Sequence, residues 1–164
     1  MIYTDDDLAK LIACPKRVTV APKKEPRIQG QMLRNDMELE SLDGKYSFRA
    51  YIRQSRQFPE NFSIGMEYQP KEEPASFCLI RCNGTHGGHK AYPHHLTCHI
   101  HHSAADDVNA GMRVERNIEA TGEYAALRDA LRYFLLTVNI QASDLSHYFP
   151  DIAQAELFGE EAIP

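Results

Sequence analysis

The chain has no apolar run approaching the roughly 20 residues that a membrane-crossing helix needs, no Cys-x-x-Cys pair and no excess of basic over acidic side chains. Each absence removes a class of protein. Without a long apolar run, no membrane segment is expected and the chain reads as a soluble globular domain. Cys14, Cys78, Cys82 and Cys98 lack the paired spacing of a zinc ribbon or a thioredoxin-type motif, so they read as reduced thiols that pack as small apolar groups. Eighteen Lys and Arg against 23 Asp and Glu give a formal net charge of −5, which argues against a generally basic nucleic-acid-binding surface. Local basic patches remain: Lys16-Arg17 with Lys23-Lys24 and Arg27, and Arg49, Arg53 and Arg56 along a later strand. The opening Met1-Ile-Tyr-Thr-Asp-Asp-Asp is acidic where a secretory leader is basic and then apolar, so a cytoplasmic location is expected. No repeat or low-complexity tract supports a solenoid or a linker.

What is present is an ordinary globular composition, 43% hydrophobic and 25% charged over 164 residues. It suits one domain over residues 1–150 and a loose tail over 151–164. Thr4 before Asp5-Asp6-Asp7 predicts a helix N-cap, and Leu8, Leu11 and Ile12 continue an apolar stripe to about Ala13. The segment through Pro15, Pro22 and Pro26 reads as a connector holding at most a short strand at Arg17 to Val20. From Gln31 the period changes to two. Asp43-Gly44 marks a hairpin turn between strands at Met32–Ser41 and Lys45–Gln54. Further strands are expected from Phe62 to Tyr68, Ser76 to Cys82 and His94 to about His102, with one more candidate between Met112 and Ala120. A long amphipathic helix, Glu123–Ile140, and a short one from Ser143 to Tyr148 follow. The expected fold is α+β: an antiparallel meander of about five strands with the long C-terminal helix packed on one face.

Seven of the eight histidines fall between His86 and His102. Imidazole titrates near neutrality, ligates transition metals and shuttles protons, so this density marks a candidate site. On a strand, period two sends His95, Thr97, His99 and His101 to one face and Leu96, Cys98 and Ile100 to the other. His86 and His89 arrive from the preceding glycine-rich loop, whereas His94 and His102 fall out of register. Pairs such as His99-x-His101 suit zinc, with His95, His99 and His101 as the ligands if a metal binds. Against this, Arg81 to Ser103 contains no Asp or Glu to supply an oxygen ligand or to orient an imidazole.

Several familiar patterns fail on spacing. His99-Ile-His-His-Ser does not alternate as the histidines of a nucleotide-hydrolase triad do, and Asp106 comes too late for a His-x-His-x-Asp-His metallo-hydrolase. A cupin-like match has a misplaced upstream glycine. Asn83-Gly-Thr-His-Gly-Gly-His lacks the Gly-Lys-Ser/Thr of a P-loop, although its glycines suit either a hairpin loop or a backbone nest for an anion. A metal-free alternative joins Arg49, Tyr51, Arg53 and Glu67 to the histidines on one face of a sheet. It forms a basic, proton-transferring surface for a nucleic acid or nucleotide, with Arg81 as a further ligand-binding candidate. In that scheme His99 and His101 are the general acid/base candidates, and His86, His89, His95, Thr97, Arg49, Arg53 and Arg81 bind the ligand.

Phe77-Cys-Leu-Ile-Arg-Cys-Asn-Gly-Thr-His-Gly-Gly-His, then His99-Ile-His-His and Tyr124 through Asn139-Ile140, resembles an uncharacterised family of small bacterial and prophage-borne domains. The resemblance runs from about Asp36 to Ile140 and carries no established activity. It implies a setting of phage–host conflict, in which toxins, defence components and inhibitors act. A protein partner therefore stands beside nucleic acid as an expectation, and a histidine-ligated metal protein is the third.

Overall fold

The computed structural model describes residues 2–71, 75–87, 93–112 and 117–157, with side chains through residue 154. Helix α1, Asp5–Ala13, begins where the Thr4 signal places it. The Thr4 hydroxyl accepts from the Asp7 N–H at 3.2 Å, and the Asp7 carboxylate accepts from the Thr4 N–H at 3.0 Å. This reciprocal cap satisfies donors that the first helical turn leaves open. Leu8 and Leu11 are the buried stripe of the helix.

Among the described residues eight strands follow: β1 Lys16–Val20, β2 Arg27–Gln29, β3 Met32–Ser41, β4 Ser47–Ser55, β5 Phe62–Gln69, β6 Phe77–Asn83, β7 His99–His102 and β8 Asn117–Ala120. They form one antiparallel sheet in the order β1-β3-β4-β5-β6-β7-β8, with β2 also paired to β3. The expected meander is therefore the centre of a larger sheet. Ten-residue β3 carries both extra strands on its outer edge, Val18 opposite Leu39 and Ile28 opposite Leu33. Pro22 and Pro26 lie between these short strands rather than within them, which is why the segment reads as a connector.

The remaining helices are α2 Ala105–Asn109, α3 Leu127–Thr137, α4 Ala142–Tyr148 and α5 Pro150–Leu157. The expected Glu123–Ile140 helix is shorter at both ends. Ala126 is an extended N-cap residue, and Asn139 turns left-handed at φ 58°. That reversal lets Ile140 bridge to Lys16 at the sheet edge instead of prolonging the helix. Residues expected to trail off form α5, whose Ile152 is buried in the core. Among the described residues no helix is long and apolar enough to cross a membrane.

One face of the sheet makes the core. Phe48 and Ala50 of β4, Ile64 and Met66 of β5, Ile80 and Cys82 of β6 and Ile100 of β7 share a buried cluster with Ala130, Phe134 and Leu135 of α3. The alternate side chains of these strands face the other way.

Lys16, which the sequence groups with surface bases, is fully buried. Its ammonium donates to the carbonyls of Ile12 at 2.7 Å, Cys14 at 2.8 Å and Val138 at 3.0 Å, and lies 4.8 Å from the centre of the Phe48 ring. These carbonyls belong to the C-terminal ends of α1 and α3, where backbone acceptors are left over. Burial pulls the lysine pKa down to about 8. Its neighbour Arg17 is paired with Glu40 at 2.6 Å.

Replacing Lys16 with Met keeps most of the side-chain length but strands three acceptors. Urea unfolding of Lys16→Met is expected to show a loss of about 1–3 kcal/mol. An unchanged midpoint would show that the helix ends do not depend on the ammonium.

Candidate functional site

The site is built on the sheet face opposite the core. Along one row Arg53 is opposite Ser63, Ser63 opposite Asn83 and Asn83 opposite His99. Along the next row Tyr51, Gly65, Arg81 and His101 stand opposite one another in turn. The register thus puts Arg49, Tyr51, Arg53, Glu67, Arg81, His99 and His101 on one face. Arg49 bonds Asp36 at 3.0 Å.

Gly65 shapes the middle of this face. A Cβ there would run into the ring of Tyr51, so the missing side chain lets that ring lie across β5. The guanidinium carbon of Arg53 sits 4.5 Å from the centre of the Tyr51 ring. Such stacking holds a planar cation in place.

The histidines do not form the ladder expected from a strand beginning at His94. Pro93–Leu96 is a 3-10 turn, and the strand starts only at His99. The Thr97 N–H turns back to the His94 carbonyl at 3.3 Å, and the His86 N–H donates to the His95 carbonyl at 3.1 Å. Backbone groups needed for a strand are thereby used within the turn and by the loop. The tighter winding also breaks the alternation of faces, so adjacent His94 and His95 both join the cluster. Ring centres lie 4.0 Å apart for His86–His95, 4.4 Å for His94–His95, 5.3 Å for His94–His99 and 5.0 Å for His99–His101. His94, set aside by the period-two reading, is inside the group. Thr97 is exposed, with its hydroxyl donating to the His94 carbonyl at 3.4 Å. His89 lies outside the described residues, as do Gly88 and Tyr92.

Hydrogen bonds fix the state of His99. A carbonyl can only accept, so the 2.8 Å contact with the Thr97 oxygen places a proton on Nδ1. In the neutral ring Nε2 then accepts from Asn83 Nδ2 at 3.2 Å. His99 is fully buried and both its nitrogens are engaged. His101 differs. Arg81 can only donate, so the 3.4 Å contact makes His101 Nδ1 the acceptor and leaves the proton of the neutral ring on Nε2.

A cleft of about 360 Å³ opens here, lined by Arg53, Asn61, Phe62, Ser63, Arg81, Asn83, His86, His95 and His101. A second of about 260 Å³ shares Arg53 and Arg81 and reaches Tyr51, Glu67 and Cys78. His86, His95, His101, Arg53 and Arg81 are therefore brought together, while His99 supports them from beneath. Asn83 was not picked out from the sequence, although it follows Arg81 by two residues and so shares its face. Among the described residues, no group of three His, Cys, Asp or Glu side chains is arranged to hold a metal. Cys82 faces the core, where burial pushes its thiol pKa up to about 12.

Burial, helped by neighbouring imidazoles, disfavours charge on His86, His95 and His99. Desolvation, then His95 and His99, bring the His86 pKa down to about 4, and burial lowers those of His95, His99 and His102. An unfolded histidine takes up its proton near 6.5, so between that pH and about 4 the unfolded chain binds more protons than the folded one. The contribution to stability is complete above the unfolded value and is lost as pH falls. Urea midpoints measured at about pH 7.5, 6 and 4.5 are expected to decline, with a smaller decline for His86→Gln. Equal slopes for the two proteins would remove His86 from the effect. No family model, curated protein or solved structure matches the chain, so the geometry of the site is what its function can be argued from.

Proposed function

We propose that the cleft binds an anionic nucleic-acid or nucleotide ligand through phosphate, and that its histidines catalyse phosphodiester cleavage without a metal. The observation that carries this reading is the lining itself: two arginines and three histidines, with no carboxylate among the described residues there. Arginine forks match phosphate geometry and offer several donors in one plane. The cluster is short of negative charge, which is what a phosphate brings.

On an RNA substrate the chemistry balances without a cofactor. A neutral imidazole, His95 or His86, removes the proton from a ribose 2′-hydroxyl, whose oxygen forms a bond to the adjacent phosphorus. The bond from phosphorus to the 5′-oxygen breaks, and that oxygen receives a proton from an imidazolium, a role His101 takes when Arg81 turns from its Nδ1 to the phosphate and the negative charge of the ligand favours the protonated ring. The products are a 2′,3′-cyclic phosphate and a free 5′-hydroxyl. Arg53 and Arg81 stabilise charge on the phosphoryl oxygens in the transition state. His99, buried with both nitrogens engaged, acts in this scheme as a positioning residue for His101 and the rings above it.

A second reading rests on the sheet edge. All four residues of β8 are exposed, Ile118 is 38% exposed, and Leu96 is 65% exposed on the 3-10 turn that packs beside it. Among the described residues β8 is the last strand of the sheet, and an edge strand with apolar side chains is a template for strand addition by a protein partner. Its binding would survive simultaneous replacement of His95, His99 and His101.

For the leading reading, single-stranded RNA and DNA are tested with EDTA present. Fluorescence anisotropy is expected to show RNA binding that weakens about tenfold in Arg81→Ala and falls steeply towards about 200 mM salt. RNA cleavage is expected to drop by about 10²-fold or more in His101→Ala. Inactivity towards both polymers, with weak binding indifferent to Arg81, would sink the proposal. Elemental analysis of the untagged protein after zinc repletion separates the third expectation, since a stoichiometric metal would reassign the histidines as ligands.

A further inference from the structure

On the reading that the cleft holds phosphate, we propose that its ligand is a phosphate ester that also carries a hydroxyl or N–H donor, accepted by the side-chain oxygen of Asn83. Bare phosphate is then a poor ligand, and Asn83 is a specificity-determining residue.

Asn83 is 6% exposed and lines the cleft. The orientation of its amide is forced by its neighbour. His99 donates through Nδ1 to the Thr97 carbonyl, its neutral Nε2 only accepts, and the Asn83 NH₂ group must therefore point at it. The side-chain oxygen is left on the other side of the amide, and no donor among the described residues reaches it. A buried acceptor without a donor costs more than a hydrogen bond returns, so such atoms in native proteins call for an explanation. Turning the amide over offers no relief, because it would set the amide oxygen against the accepting Nε2 of His99.

The surroundings say what kind of donor fits. Arg81 precedes Asn83 by two residues on the same strand face, a Cα separation of about 7 Å. Arg53 and Arg81 both line the same cleft. An anion held by the guanidinium groups and a donor held by the amide would thus be joined in one small molecule. A volume of about 360 Å³ suits a group the size of a single nucleotide. Sites that hydrogen-bond a particular ligand group reject analogues lacking it, because their own polar atoms are then left unpaired.

The test is calorimetric titration of the full chain with inorganic phosphate, propyl phosphate, ribose 5-phosphate, uridine 5′-monophosphate and its 2′,3′-dideoxy counterpart. Propyl phosphate has no donor beyond the phosphate, ribose 5-phosphate offers only hydroxyls, and the dideoxynucleotide offers only the base N–H. At least one donor-bearing ester is expected to bind about tenfold tighter than propyl phosphate, and the gap is expected to close in Asn83→Leu. A gain confined to ribose 5-phosphate assigns the donor to a sugar hydroxyl, and one confined to the dideoxynucleotide assigns it to the base. Equal affinity across the esters overturns the role of Asn83 while phosphate binding stands. A gap that persists in a variant with an intact thermal transition also overturns it. Should Asn83→Leu not fold, the wild-type series alone decides. Failure of every compound to bind overturns the phosphate reading itself.

Discussion

Burying one face of the sheet is the constraint on which the site depends. Ile64, Met66, Ile80, Cys82 and Ile100 must all meet the helices, and a slip of one residue in any strand would turn its apolar set outwards. The pairing that keeps these side chains inside therefore also fixes what stands outside. Asn83 opposite His99 and Arg81 opposite His101 are consequences of Cys82 opposite Ile100. Four strands contribute to each row, so the hydrophobic core positions the polar face through the backbone register.

Within that frame, short-range hydrogen bonds hold His99 and the loop of His86 in place. The Thr97 carbonyl sets the tautomer of His99, His99 sets the amide of Asn83, and the His95 carbonyl ties down the loop carrying His86. Burial disfavours charge on His86, His95 and His99, and the His86 ring, 4.0 Å from His95 and 5.2 Å from His99, adds mutual repulsion, so without a ligand these three rings are held neutral. Neutral rings are also the form that accepts a proton, which is what the proposed cleavage asks of His95 or His86.

Much of this was legible in the sequence because period two is a direct record of which face is buried. The alternation in Tyr46 to Arg53 and in Phe62 to Tyr68 predicts the common face of Arg49, Tyr51, Arg53 and Glu67, as the register places them. Short strands on an edge were less legible. β2 has three residues, all exposed, and carries no alternation to read. The histidine turn was hidden for a different reason. Residues from His94 to His102 alternate well enough to resemble one strand, but Pro93 and two backbone hydrogen bonds commit the first half to a 3-10 turn. Those bonds come from His86 and Thr97 main-chain groups, about which side-chain pattern is silent.

Lys16 shows the same limit in the core. A lysine beside an arginine in a proline-rich segment reads as surface charge, yet three helix-end carbonyls and the Phe48 ring make a buried place for its ammonium. The left-handed Asn139 is part of the same arrangement, because it ends α3 so that Val138 offers its carbonyl and Ile140 bridges to Lys16. Leftover carbonyls at a helix end attract a cation, and a buried ammonium requires such acceptors. Each therefore explains the other, and neither is visible until α1 and α3 converge on β1. Asn83 presents the complementary situation on the opposite face, where the fold supplies a partner for the amide nitrogen but none among the described residues for the oxygen. In one case the chain completes a polar group that its sequence leaves exposed to doubt; in the other it leaves incomplete a group that its fold has buried, and the difference lies in the cleft beside it.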